Sequence, residues 1–88
     1  MATVRLRAPL KDLVGGNREV TVDGATVGEV LRALERLHPK IVGWVLDEHG
    51  GVRRHVNVFL DGERVREDAP VAPASTLHIL PAISGGAT

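Results

Sequence analysis

Polar and apolar residues alternate from Thr3 to Arg7, with Val4 and Leu6 set between Thr3, Arg5 and Arg7. A period of two predicts a strand with one buried face, Val4 and Leu6 inward and the arginines outward. Pro9 ends this run, and Gly15-Gly16-Asn17 is turn chemistry. Arg18-Glu19-Val20-Thr21-Val22 alternates again, with Val20 and Val22 inward. The two runs read as a hairpin with a long loop. Asp23-Gly24 breaks the second strand, and the period then changes. Val27, Val30, Leu31, Leu34 and Leu37 recur at helical spacing, with Arg32, Glu35 and Arg36 on the other side. Thr26-Val27-Gly28-Glu29 fits a capping box, in which the Thr26 hydroxyl accepts from the Glu29 amide and Glu29 reaches back to the Thr26 amide. His38-Pro39 stops the helix, because a residue before proline disfavours helical torsions. Ile41, Trp44 and Val45 predict a short helical turn over residues 40–46 that packs Trp44 under the main helix.

After the polar loop Asp47-Glu48-His49-Gly50-Gly51 comes Val56-Asn57-Val58-Phe59-Leu60, the strongest strand pattern in the chain. Asp61-Gly62 is a hairpin-turn pair. Glu63-Arg64-Val65-Arg66 is short and charged, as suits an edge strand. Pro70, Pro73, Ala74 and Ser75 mark an irregular connection, and Thr76 to Leu80 is the last strand. One helix among mostly antiparallel strands covers one face of a sheet, and a right-handed crossover places it there. The expected fold is α+β: a β-grasp, with a mixed sheet of four to five strands and one main helix on one face. In that arrangement the first and last strands lie side by side at the sheet centre. The expected organisation is a domain over residues 1–83 followed by a flexible arm, 84–88.

Composition narrows the chemistry. The 88 residues carry 11 basic and 11 acidic side chains, and the net charge is zero, so there is no basic excess to hold nucleic acid or an anionic membrane. Trp44 and Phe59 are the whole aromatic content, too little for base stacking. Without cysteine there is no disulfide framework, thiol nucleophile or thiolate metal site. His38, His49, His55 and His78 show no paired ligand spacing, so no metal site is expected. Asp47-Glu48-His49 reads as a solvated loop, Arg53-Arg54-His55 as a loop end, and Gly15-Gly16 lacks the Lys-Ser/Thr of a phosphate cradle. The start, Met1 to Arg5, has no apolar signal core and no run reaches membrane-spanning length, so the expected location is the cytoplasm.

The end of the chain carries the remaining chemistry. Leu77-His78-Ile79-Leu80 runs into Pro81, then Ala82-Ile83-Ser84-Gly85-Gly86-Ala87-Thr88. Two glycines near a terminus cost much entropy to order and leave a carbonyl carbon unshielded. Extended, Ser84-Gly85-Gly86 reaches about 10 Å beyond its anchor. Val56-Asn57-Val58-Phe59-Leu60, Asp61-Gly62-Glu63-Arg64-Val65-Arg66 and Ile79-Leu80-Pro81-Ala82-Ile83-Ser84-Gly85-Gly86 together resemble the ubiquitin-like sulfur carriers of the ThiS and MoaD group, most closely the CysO type of cysteine biosynthesis. The resemblance implies a carrier, not an enzyme, with no cofactor of its own. An E1-like adenylyltransferase would use ATP to adenylate Gly86, with Gly85 supplying slimness. Sulfide or a persulfide would displace AMP to leave a thiocarboxylate. The acceptor would be a cysteine synthase, the large subunit of molybdopterin synthase, or thiamine thiazole formation. One departure stands out: Ala87-Thr88 follows Gly86, so a peptidase, for example of the zinc-dependent JAMM type, is expected to cut between Gly86 and Ala87.

Alternation also sets an expected contact surface. With Leu77 and Ile79 inward, Leu80 faces solvent at the root of the arm, and with Val56, Val58 and Leu60 inward, Phe59 does too. Phe59, Leu80 and Pro81 are thus the expected partner interface, with Arg5 and Arg7 read as solvated strand charges nearby. Two other readings stay open: a ubiquitin-like modifier joined through Gly86 to lysines of other proteins, and a β-grasp binding module with a passive tail.

Overall fold

In the computed structural model, residues 2–81 are described. Five strands and one α-helix occur in the order β1 (Ala2–Leu6), β2 (Glu19–Val22), α1 (Val27–Leu37), β3 (Val56–Leu60), β4 (Glu63–Val65) and β5 (Thr76–Pro81). The strands form one sheet in the order β2-β1-β5-β3-β4. β1 and β5 are parallel, and every other pair is antiparallel. This is the mixed five-stranded ubiquitin-like β-grasp, with β1 and β5 adjacent and β5 at the centre. The expected boundary between residues 83 and 84 lies outside the described residues.

The predicted alternation appears as burial. Val4, Leu6, Val58, Leu77 and Ile79 are at most 4% exposed on the face that α1 covers. One inner row runs Leu6, Ile79, Val58, Val65 across four strands. Val27, Val30, Leu31 and Leu34 of α1 complete the core. The Asp61-Gly62 turn has both residues at positive φ, 49° and 92°. That is the geometry whose twist matches a two-residue hairpin, which explains the Asp-Gly pair.

Four expectations need correction. Thr26 caps α1 as predicted, its Oγ1 accepting from the Glu29 amide at 3.2 Å. Glu29, however, reaches past Thr26 and accepts from the Ala25 amide at 3.0 Å. Second, residues 40–46 are not a helical turn: only Pro39–Ile41 is helical, as a short 3-10 segment. Gly43 at φ 88° turns the chain, and Leu46 bridges to Val52. Val45 and Leu46 are therefore the residues that turn inward, while Trp44 stays 46% exposed and does not sit under α1. Third, Leu37 ends the helical stripe outside the core, 59% exposed. Fourth, the long β1–β2 loop contains an unpredicted 3-10 helix, Leu10–Val14, which buries Leu10 and Val14 completely.

Candidate functional site

The strand that leads to the Gly-Gly segment is held from both sides. β5 pairs with β1 from Thr3↔Thr76 to Leu6↔Ile79, and with β3 from Leu60↔Leu77 to Val56↔Pro81. Leu77 and Ile79 are fully buried beneath it. A proline gives the sheet no donor, which suits Pro81 to the last position of the strand. Gly85, Gly86 and Ala87, the residues expected to react and to be processed, lie outside the described residues.

On the uncovered face, one row crosses all five strands. Glu19 of β2 stands opposite Arg5, Arg5 opposite His78, His78 opposite Phe59, and Phe59 opposite Arg64 of β4. Arg5 Nε meets Glu19 Oε2 at 3.0 Å, with both side chains about half exposed. One step nearer the arm, Leu80 stands opposite Asn57. Phe59 and Leu80 therefore share a face as diagonal neighbours, with a backbone separation of about 7–8 Å. His78 and Asn57 fill the other two corners of that square. Both apolar side chains are half-buried, so the patch is smaller and more polar than two free hydrophobic residues would make it. Pro81 ends the same strand beside Val56.

The sequence reading overlooked the ground beside this patch. A concavity of about 400 Å³ opens at the ends of β1 and β5, and Lys11 and Arg18 line it together with Arg5, Arg7, His78 and Leu80. The 3-10 helix brings Lys11 there. Its signal was present in Leu10 and Val14, an apolar pair at helical spacing between a proline and a glycine pair.

Other polar clusters serve the fold. Asp47 Oδ1 accepts from the His49 amide at 2.8 Å and the Gly51 amide at 3.0 Å. These bonds hold its carboxyl below the ordinary carboxylate range. Glu67 Oε1 accepts from the Val52 amide at 2.8 Å, which lowers the Glu67 pKa in the same way. Among the described residues no group of three His, Asp or Glu side chains is placed to hold a metal ion. No helix among them is long and apolar enough to cross a membrane.

A β-grasp sheet with one free face, leading at its central strand to a Gly-Gly segment, defines the class of ubiquitin-like carrier proteins. Comparison with known proteins makes this specific. The ThiS family profile matches residues 4–86, and the chain belongs to the ThiS family of ubiquitin-like sulfur carriers. It is 37% identical over 76 residues to small archaeal modifier protein 1 of Haloferax volcanii, spanning 83% of this chain and 87% of that protein. It is 32% identical over 90 residues to sulfur carrier protein CysO of Mycobacterium tuberculosis, spanning 96% and 97%. Among solved structures, a chain from the BexX/CysO complex of Amycolatopsis orientalis superposes with a TM-score of 0.89 at 33% identity, over 98% of this chain and 100% of that one.

Proposed function

We propose that this protein carries sulfur as a thiocarboxylate on Gly86, for cysteine formation on an activated serine derivative. The observation that supports this most is the match of the ThiS family through residue 86, the second glycine of the pair. In the proposed cycle the Gly86 carboxylate attacks the α-phosphorus of ATP in the site of an adenylyltransferase and pyrophosphate leaves. Sulfide then adds to the acyl carbon and AMP leaves, giving the thiocarboxylate. The carrier contributes placement: it brings a carbon flanked by no side chain to the partner's reacting groups, which converts an encounter into an intramolecular step. It needs no acid, base or cofactor of its own, and the chemistry belongs to the partners. Phe59, Leu80 and Pro81 dock on those partners. A CysO carrier forms a complex with BexX in Amycolatopsis orientalis, which supports docking of this fold on a second protein.

In this reading a peptidase removes Ala87 and Thr88 first, because only then does Gly86 bear the free carboxylate. The cycle runs in the cytoplasm. The test is direct. A version ending at Gly86 is incubated with an adenylyltransferase, ATP and sulfide, and its intact mass is read. A gain of one sulfur-for-oxygen exchange at Gly86 is expected, and no gain counts against the carrier. The full chain should gain nothing until those two residues are lost. Loss of Ala87-Thr88 in cell extract tests the processing step.

The 37% identity to a small archaeal modifier protein favours a second reading, conjugation of Gly86 to lysines of other proteins. A ladder of conjugates in extract, detected with antibody to this chain, is required by that reading. A passive binding module would give neither the ladder nor the mass gain.

A further inference from the structure

The concavity beside the arm root gathers four of the chain's 11 basic residues, although the whole chain is neutral. Arg5 and Arg7 come from β1 and its exit, Lys11 from the 3-10 helix, and Arg18 from the approach to β2. Backbone hydrogen bonds hold these segments together. The Leu6 amide donates to the Arg18 carbonyl at 2.8 Å, and the Lys11 amide to the Arg7 carbonyl at 3.0 Å. Glu19 offsets Arg5. Among the described residues, Arg7, Lys11 and Arg18 make no ion pair and no side-chain hydrogen bond. Cations that share one concavity attract an anion from outside.

Size and lining say what kind of anion. About 400 Å³ is roughly a dozen waters' worth of space at about 30 Å³ each, room for a short peptide segment. Apolar groups of Ala8 and Leu80 share the walls with the cations. That combination suits a short peptide segment in which carboxylates flank an apolar side chain. Guanidinium groups bind carboxylates through paired, charge-assisted hydrogen bonds.

We propose that this concavity is the docking site for an acidic segment of the protein that receives the Gly-Gly arm. Its carboxylates meet Arg7, Lys11 and Arg18, and its apolar side chain lies against Leu80. The site is contiguous with β5, the strand that the Gly-Gly segment continues, so a partner bound there meets the same end of the sheet. The identity of that partner rests on the carrier reading; the acidic chemistry rests on the groove alone.

The test compares the wild-type chain with Arg7→Glu/Arg18→Glu, two exposed positions whose backbone bonds the change retains. With an adenylyltransferase and ATP, pyrophosphate exchange is measured on versions ending at Gly86 at low and high salt. The double variant should raise KM for the carrier about tenfold or more and leave kcat unchanged, and it should lose most of the salt dependence. An unchanged KM overturns the docking site while the carrier reading stands. If wild type is not activated, the carrier reading fails, and the groove is judged by hexaglutamate titration of the full chain followed by amide NMR shifts. Shifts centred on Arg7, Lys11 and Arg18, absent in the double variant, support it. Shifts spread evenly to Arg53, Arg54 and Arg64, or an equal response to inorganic phosphate, overturn it.

Discussion

Replacing Ile79 and Leu80 one at a time by alanine asks whether β5 shows one face to the core and the other to a partner. Ile79 is fully buried between Leu6 on β1 and Val58 on β3. Ile79→Ala removes three carbons, about 2.4 kcal/mol of transfer free energy at roughly 0.8 kcal/mol per methylene. The cavity left under two paired strands adds to this, for a total of about 3–4 kcal/mol. Leu80→Ala also removes three carbons, but from a half-buried position that solvent can fill, so about 1 kcal/mol is expected. A domain of this size has roughly 4–13 kcal/mol of stability in all, so Ile79→Ala leaves it marginal. Urea unfolding followed by circular dichroism separates the two. At a slope of roughly 1.2 kcal/mol/M, the midpoint falls by about 3 M for Ile79→Ala and by under about 1 M for Leu80→Ala, with unchanged slopes. Leu80→Ala should instead weaken capture by the partner. A larger loss for Leu80→Ala than for Ile79→Ala would refute the assignment of faces, because a one-residue slip of register exchanges the two positions.

Gly24→Ala would place its Cβ 2.6 Å from the Val30 amide nitrogen and 2.7 Å from Val30 Cγ2. Neither helix backbone nor a buried valine yields cheaply, so a cost of about 1–3 kcal/mol and a melting temperature lower by about 5–20 °C are expected. Thr26→Ala removes the cap on α1 and should cost about 1 kcal/mol by calorimetry, most of it recovered by Thr26→Ser. Asp47 and Glu67 have carboxyl groups held below their ordinary 3.8 and 4.5 by backbone amides, so their contribution is complete above about pH 4.5 and is lost as pH falls through the lowered values. Glu35, raised by partial burial, acts in the opposite sense and above that range, between its ordinary 4.5 and the raised value. Asp47→Asn/Glu67→Gln should therefore flatten the acid limb of stability measured by urea midpoints between about pH 3 and 6.

The elements that were legible in the chain are those whose pattern is local. Val4 and Leu6, or Val56 and Val58, declare a strand by alternation, and Asp61-Gly62 declares its turn by the torsions only such a pair takes easily. Thr26 was readable as a cap for the same reason, though the choice of Ala25 as the partner of Glu29 depends on where the preceding loop runs. Trp44 was misplaced because the same spacing of Ile41, Trp44 and Val45 fits a helix, while the deciding contact, Leu46 with Val52, is made across a loop. Glu67 shows the limit most clearly. Its side chain holds the Val52 amide 15 residues away, and its carbonyl accepts from the Gly28 amide at the start of α1 at 2.8 Å. Nothing local in Arg66-Glu67-Asp68 announces either bond. The outer-face pair Phe59 and Leu80 followed from alternation, but the basic groove depends on three segments meeting and was visible only in the fold.

The topology gives a physical reason for the arm to leave from β5. In the proposed cycle, a partner that draws the Gly-Gly segment into its site would apply force to the strand that the segment continues. An edge strand resists through one ladder of hydrogen bonds; β5 resists through two, and through two fully buried side chains as well. The parallel pairing with β1 has a second effect. It brings the exit of β1, with Arg7, to the same end of the sheet as Leu80, and the hairpin partner β2 adds Arg18 there. An antiparallel β1 would have sent those charges to the far end. The order β2-β1-β5-β3-β4 thus does more than build a core: it sets the basic groove on the β1 side of β5 and Phe59 on the β3 side, with Leu80 between them.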